Sequence, residues 1–178
     1  LNGSGTVAIT ALHSTAAADL SNITASSVTA AVDDDVTFTG TIGNAVVSVA
    51  SGKTFTATAA KVNGETLNGA GTVAITALHS TAAADLSNIT ATSVTANVAD
   101  DVTFTGTIGK AVVSVDSGKT FTSTAANVTG ETLNGSGTVA ITALHSTAAA
   151  DLSNITASSV TAAVDDDVTF TGTIGNAV

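Results

Sequence analysis

The string "LNGSGTVAITALHSTAAADLSNITA" opens the chain at residue 1, returns at 67 with Ala70 in place of serine, and returns unaltered at 133. The whole chain follows this 66-residue period: 1–66 is one copy, 67–132 a second, and 133–178 an incomplete third. A unit of this size is marginal alone, whereas stacked units bury the apolar face of each against its neighbours. The period therefore predicts one continuous array, and a chain that starts at Leu1 and stops mid-pattern at Val178 reads as a piece of something longer.

The two full copies differ at nine positions: Ser4/Ala70, Ser26/Thr92, Ala31/Asn97, Asp33/Ala99, Asn44/Lys110, Ala50/Asp116, Ala57/Ser123, Lys61/Asn127 and Asn63/Thr129. No Val, Ile, Leu or Phe changes. Close-packed interiors rarely accept swaps of polarity or charge, so all nine are expected at the surface or in turns.

Period-two alternation dominates each copy, in "TVAIT" at 6, "VTFTGTI" at 36, "AVVSV" at 45 and "KTFTAT" at 53, with Gly, Asn, Asp and Ser clusters between. These are strands joined by turns. Only "ALHSTAAADLSNI" at 11–23, with Leu12, Ala16 and Leu20 at helical spacing, reads as a short helix. Strand starts at 5, 21, 36, 53 and 71 lie 16, 15, 17 and 18 apart. The fold expected is all-β, a repetitive parallel β-solenoid (β-helix) with about four short coils per repeat, each climbing roughly 4.8 Å. Three coils of about 22 residues fit nearly as well. Phe38 and Phe55, one coil apart, would stack inside. The alternative is a string of small β-sandwich domains, one per repeat; such domains run to about 100 residues and often bury a Trp. The chain has no Trp and no proline-rich linker, which favours the continuous array.

Composition limits function. Hydrophobic residues make up 44% of the chain, enough for a core, although Cys, Met, Trp, Tyr and Pro are absent and five Phe are the only aromatics. Four lysines stand against fourteen acidic residues, a formal charge of −10. Nucleic acid and anionic membranes would be repelled, and no run is long and apolar enough to insert in a bilayer.

His13, Ser14 and Asp19 invite a catalytic reading, but they recur as His79, Ser80, Asp85 and as His145, Ser146, Asp151. Active sites are single, and a triad is a matter of geometry rather than sequence proximity. A repeated turn is the better reading, and the chain is read as no enzyme, with no catalytic or cofactor-binding residue assigned. The turns "VDDDV" at 32–36 and 164–168, with "ADD" at 99–101, offer adjacent carboxylates. Hard cations take six to eight oxygens, so Asp34, Asp35, Asp100, Asp101, Asp166 and Asp167 are the candidate ligands for calcium, although no calcium-loop motif accompanies them. Lys53 and Lys119 read as solubilising charges at strand starts.

With "GTVAIT", "VTFTGT" and "KTFTAT" repeated without Pro or Cys, the chain resembles the Thr/Val/Ala/Gly-rich tandem repeats of large secreted bacterial surface proteins. Adhesin stalks, surface-layer components and extracellular filaments are of this style. The resemblance implies an extracellular or cell-surface location and a structural role, a stiff fibre or spacer whose partners are other copies of itself. The competing reading is a binding module in which Thr37, Thr39 and Thr41, set beside Thr54, Thr56 and Thr58, present hydroxyls to ice or a polysaccharide. Uneven coils oppose an ice lattice, and the lack of Trp and Tyr opposes sugar stacking. Asn22, Asn88 and Asn154 open "NIT" and Asn127 opens "NVT", acceptor patterns for N-glycosylation that are short, and that a bacterial style makes less telling.

Overall fold

In the computed structural model, which describes residues 1–178, the first copy forms β1 (Asn2–Ile9), β2 (Thr24–Val32), β3 (Val36–Thr37), β4 (Val46–Val49), β5 (Thr54–Ala57) and the one-turn helix α1 (Ala59–Val62). The second forms β6 (Leu67–Gly69), β7 (Thr72–Ile75), β8 (Ser93–Val98), β9 (Val102–Thr103), β10 (Val112–Val115), β11 (Thr120–Thr124) and α2 (Ala125–Val128). The third contributes β12 (Leu133–Gly135), β13 (Thr138–Thr142) and β14 (Ser159–Ala162). The molecule is mostly β, and its sheets are parallel: β1-β2-β4-β6, β12-β10-β8-β7-β5-β3 and β14-β13-β11-β9. No helix is long and apolar enough to cross a membrane.

Each strand pairs with one a short distance further along the chain: Thr29 with Val46, Val36 with Phe55, Val47 with Leu67 and Leu67 with Ile89. Such steps are long enough for the crossover that parallel pairing demands. Three steps from Thr37, through Thr56 and Ala74, reach Thr95, and a fourth reaches Val112. Thr103, the copy of Thr37, lies between those two positions. The repeat therefore falls between three and four steps, which corrects both coil counts expected from the sequence. Strand starts at 5 and 21 misled because Thr6 pairs with Ser27 and not with the segment that opens at 21, so a step holds more than one strand and turn.

Because the repeat is not a whole number of steps, a strand and its copy lie in different sheets. β2 belongs to the first sheet, its counterpart β8 to the second and its counterpart β14 to the third. β4 and β10, and β5 and β11, are handed on in the same way.

Alternation within the strands builds the interior. In β10, Val113 and Val115 are buried and Val112 faces out. A single cluster of 44 buried apolar residues, from Leu12 to Val160, runs through all three copies. Phe38 and Phe55 meet at 5.3 Å between ring centroids, as their spacing suggested, and Phe104 and Phe121 repeat the contact at 5.6 Å. Tilted ring pairs at this distance add about 1 kcal/mol to area burial.

Eight of the nine differing positions lie at exposed or half-exposed sites, and the ninth, Ala57/Ser123, is buried. Ser123 is tolerated there because its hydroxyl donates to the Phe104 carbonyl oxygen at 2.7 Å, so no buried polar group is left unpaired. Two differences are linked: Asn97 Nδ2 donates to Asp116 Oδ2 at 3.2 Å, where the first copy has Ala31 and Ala50. Others preserve a bond. Asn63 Oδ1 accepts the Asp85 N–H, and the Thr129 hydroxyl accepts the Asp151 N–H in its place.

The helix expected over 11–23 is reduced to a 3-10 turn at Leu12–Ser14. The carbonyl oxygen of Ala16, which a helix would use internally, instead accepts the Thr39 and Gly40 N–H groups of the next step, and that of Ala18 accepts Thr41. Cross-step pairing outcompetes a helix of three turns at most. The real helical turns, α1 and α2, fall in "AAKV" and "AANV", where Ala59 and Val62, or Ala125 and Val128, are buried.

Glycine marks the closest approach between steps. A Cβ on Gly106 would lie 2.1 Å from the Ala84 carbonyl oxygen, whereas Gly118, at φ +73°, has nothing within 4 Å. We expect Gly106→Ala to cost about 3 kcal/mol or more, because backbone must move. Gly118→Ala should cost only about 1 kcal/mol, from its left-handed backbone alone. Chemical denaturation checks the order; equal losses would mean that the steps are not packed this closely.

Candidate functional site

The register between β3 and β5 sets the most distinctive surface feature. With Val36 opposite Phe55, the carboxylates just before β3 fall beside the residues just before β5. Lys53 Nζ accordingly donates to Asp34 Oδ1 at 3.0 Å, and the Thr54 N–H donates to Asp35 Oδ1 at 2.8 Å. One step earlier in the chain, the 3-10 turn delivers His13, whose Nδ1 lies 2.6 Å from Asp33 Oδ1. Histidine, carboxylates and lysine thus come from three successive steps and meet at one edge of the ladder.

The second copy repeats the arrangement with a change. Lys119 Nζ donates to Asp100 at 2.7 Å and the Thr120 N–H to Asp101 at 2.8 Å. Ala99 removes the carboxylate that lies beside His13 in the first copy, and His79 instead has its Nε2 3.7 Å from Asp100; the Nδ1 of both histidines is buried without a hydrogen-bond partner. In the third copy His145 contacts Asp165, while Asp166 accepts the N–H of Asp167.

The supposed triad residues are not brought together. The Ser14 hydroxyl donates to the Ala11 carbonyl oxygen and Asp19 accepts the Ser21 N–H, each closing its own turn. Lys53 and Lys119, read from sequence as solubilising charges at strand starts, are ion-paired to Asp34 and Asp100. The signal was present: each lysine follows its carboxylate by 19, the same step that joins Val36 to Phe55 and Asn97 to Asp116. A cation at these turns has to compete with lysine for Asp34 and Asp100, and with a backbone N–H for Asp35 and Asp101. No three His, Asp or Glu side chains converge on a common point.

The threonines do not form an unbroken comb. Thr37 faces Thr56 across the ladder, but the next partner is Ala74. Thr103 and Thr122 repeat the pair and are followed by Ala140, and the rows resume at Thr95 and Thr161 one step on. In the second copy Thr103, Thr120 and Thr122 join Asp101 and Val102 around a shallow depression, the largest concavity on the molecule.

Hydrogen bonds from lysine ammonium groups, serine hydroxyls and backbone N–H groups hold several carboxyls below the ordinary carboxylate range. Lys53 does this to Asp34 and Lys119 to Asp100, while Ser21, Ser87 and Ser153 do it to Asp19, Asp85 and Asp151. Burial pushes Glu65 and Glu131 the other way.

No family model, curated protein or solved structure matches the chain.

The pKa directions give a testable sign. A carboxyl held low in the folded state stabilises it above the ordinary carboxylate range, and that contribution is lost as acidification protonates the group. Glu65 and Glu131 act oppositely, and they are two against five. Thermal unfolding followed by circular dichroism should show Tm falling from about pH 5 to pH 2, less steeply in a Lys53→Ala/Lys119→Ala double variant. Identical slopes in the two proteins would remove the ion pairs from the account.

Proposed function

We propose that the chain is a parallel β-solenoid that serves as a stiff structural element outside the cell, in the manner of the tandem repeats it resembles, and that its partners are further copies of itself. The observation that carries this reading is the single apolar cluster extending from Leu12 to Val160, unbroken at either boundary between copies. Sandwich domains strung one per repeat would close a separate core in each. Here the second sheet instead takes strands from all three copies. A rod built this way resists bending at the repeat boundary, because bending there would break the same backbone ladder as anywhere else.

The proposed role is mechanical, and the charged turns fit it. Lys53 and Asp34 tie adjacent steps at the rim, where a single exposed pair adds little, but repetition along an array multiplies the contribution. The net charge of −10 keeps such an array soluble between contacts. At about 4.8 Å per step and about 20 residues per step, the chain would form a rod roughly 43 Å long. Small-angle scattering and negative-stain microscopy at physiological salt should show rods of that length and end-to-end filaments of uniform width. Compact, monodisperse particles with no higher assembly would overturn the proposal.

One observation favours a second reading. The depression around Asp101, Thr103, Thr120 and Thr122 offers hydroxyls and a carboxylate to a polar ligand, and a polysaccharide chain matches that chemistry better than ice, because the threonine rows are interrupted at Ala74 and Ala140. Retardation in polysaccharide-loaded gels, lost in Thr103→Val/Thr122→Val, would support it; unchanged mobility across neutral and basic polysaccharides would remove it.

A further inference from the structure

The "NIT" triplets occupy the same place in every copy, and the structure shows what that place is. Ile89 N–H donates to the Leu86 carbonyl oxygen at 3.0 Å, closing a β-turn with Ser87 and Asn88 at its centre. The Ile23 to Leu20 and Ile155 to Leu152 bonds, at 3.0 and 3.1 Å, close the same turn around Asn22 and Asn154. Asp85 fixes the turn by accepting the Ser87 N–H, as Asp19 and Asp151 do for Ser21 and Ser153. Below it, Ile89 pairs with Leu67 and is fully buried.

The anchored turn leaves its asparagine outside. Asn22, Asn88 and Asn154 are exposed, as are Thr24, Thr90 and Thr156 two residues on. The Asp carboxylates take the turn's N–H groups, and neither the asparagine amides nor these threonine hydroxyls are engaged by any protein group. Carbonyl oxygens of Asn88 and Asn154 accept the Leu67 and Leu133 N–H groups, so only the backbone of each asparagine is used by the fold. Three other acceptor patterns lack this turn: Asn2 and Asn134 open "NGS" inside the paired strands β1 and β12, and Asn127 opens "NVT". Asn127 is half-buried inside α2, next to the fully buried Val128, and lysine takes its place at residue 61.

We propose that Asn22, Asn88 and Asn154 are acceptors for N-linked oligosaccharide on the folded surface, one per repeat, and that Asn127 is not. The co-substrate is an oligosaccharide carried on a lipid pyrophosphate. Asparagine Nδ2 forms a bond to the anomeric carbon and the bond from that carbon to the pyrophosphate oxygen breaks. The lipid pyrophosphate leaves with the electron pair, and one amide proton is released. The free hydroxyl two residues on, in Thr24, Thr90 or Thr156, is the group such an acceptor presents for recognition. Each asparagine is exposed, so its amide nitrogen is accessible for attachment. Since Ile89 borders the first sheet and Ile155 the second, the glycans of successive repeats would leave from different sheets. The proposal does not depend on the structural role above.

The test is to treat the purified folded chain with an oligosaccharyltransferase and a lipid-pyrophosphate oligosaccharide, and to map the peptides of the product. Glycan is expected on Asn22, Asn88 and Asn154 by peptide mapping, with the one at Asn88 lost in Asn88→Gln and in Thr90→Ala, and circular dichroism confirming that both variants fold. Peptide mapping should find Asn127 unmodified. An unmodified folded chain, under conditions that glycosylate a free peptide spanning residues 86–92, would overturn the proposal. So would modification of Asn127 to the same extent as Asn88.

Discussion

Everything in this molecule follows from one backbone interaction, the parallel ladder that joins Thr29 to Val46, Val36 to Phe55 and Leu67 to Ile89. It places Phe38 against Phe55 inside and Lys53 against Asp34 outside. It also denies residues 11–23 a helix, because the carbonyl oxygens of Ala16 and Ala18 are taken by the next step. The apolar alternation and the turns fix the register of that ladder, because a slip of one residue would turn each buried face outward. Gly106 and Gly40 show how tightly: each would place a Cβ within 2.1 Å of the preceding step's carbonyl oxygen.

A mismatch between the ladder and the repeat gives the molecule its second property. Three steps from Thr37 end at Thr95 and four at Val112, on either side of its copy Thr103, so a copy begins on a different sheet from the one before it. Surface features recur with the repeat in sequence but not above one another in space. Threonine rows are interrupted rather than continuous: Thr37 and Thr56 are followed by Ala74 before Thr95, whereas Thr54 meets Thr72 of the next copy and then Ser93. The same handing-on distributes the His–Asp–Lys turns and the asparagine turns among the sheets.

Much of this was legible in the residues. Alternation in "KTFTAT" and "VTFTGTI" located β5 and β3, and the spacing of Phe38 and Phe55 revealed their contact. Eight of nine differing positions were correctly expected outside the core. The ninth failed because a serine can enter a β interior when a carbonyl oxygen of the next step accepts its hydroxyl, a partner that only the register supplies. The step length failed for a related reason. Turn signals mark where a strand ends but not which later strand it meets, so a turn inside a step looks the same as one between steps. The charged site was half visible: Asp34, Asp35 and His13 stood out by type, while Lys53 acquired its role only through the register that sets it beside Asp34. The co-change of Ala31 with Ala50, to Asn97 with Asp116, was the sequence clue to that register.

Near-identical copies raise a problem of register, since a strand could pair with a copy of its proper partner. β4 meets β6, with Val47 opposite Leu67, yet β12 offers the same Leu-Asn-Gly one repeat later, from Leu133. Chain entropy discriminates between them. Closing a loop of about 86 residues rather than about 20 costs about 1.3 kcal/mol more. That preference applies at every step, and each correctly placed strand offers a template for the next, so errors have to be made before the first few steps are stacked. The distribution of copies among sheets adds a second safeguard. A chain that slipped by a whole repeat would keep its apolar pattern, but it would leave the strands of the skipped copy unpaired, and their exposed N–H and C=O groups would favour return to the local partner. Local pairing, which makes the single step rather than the whole repeat the structural unit, is therefore also what lets the sequence repeat without losing a unique fold.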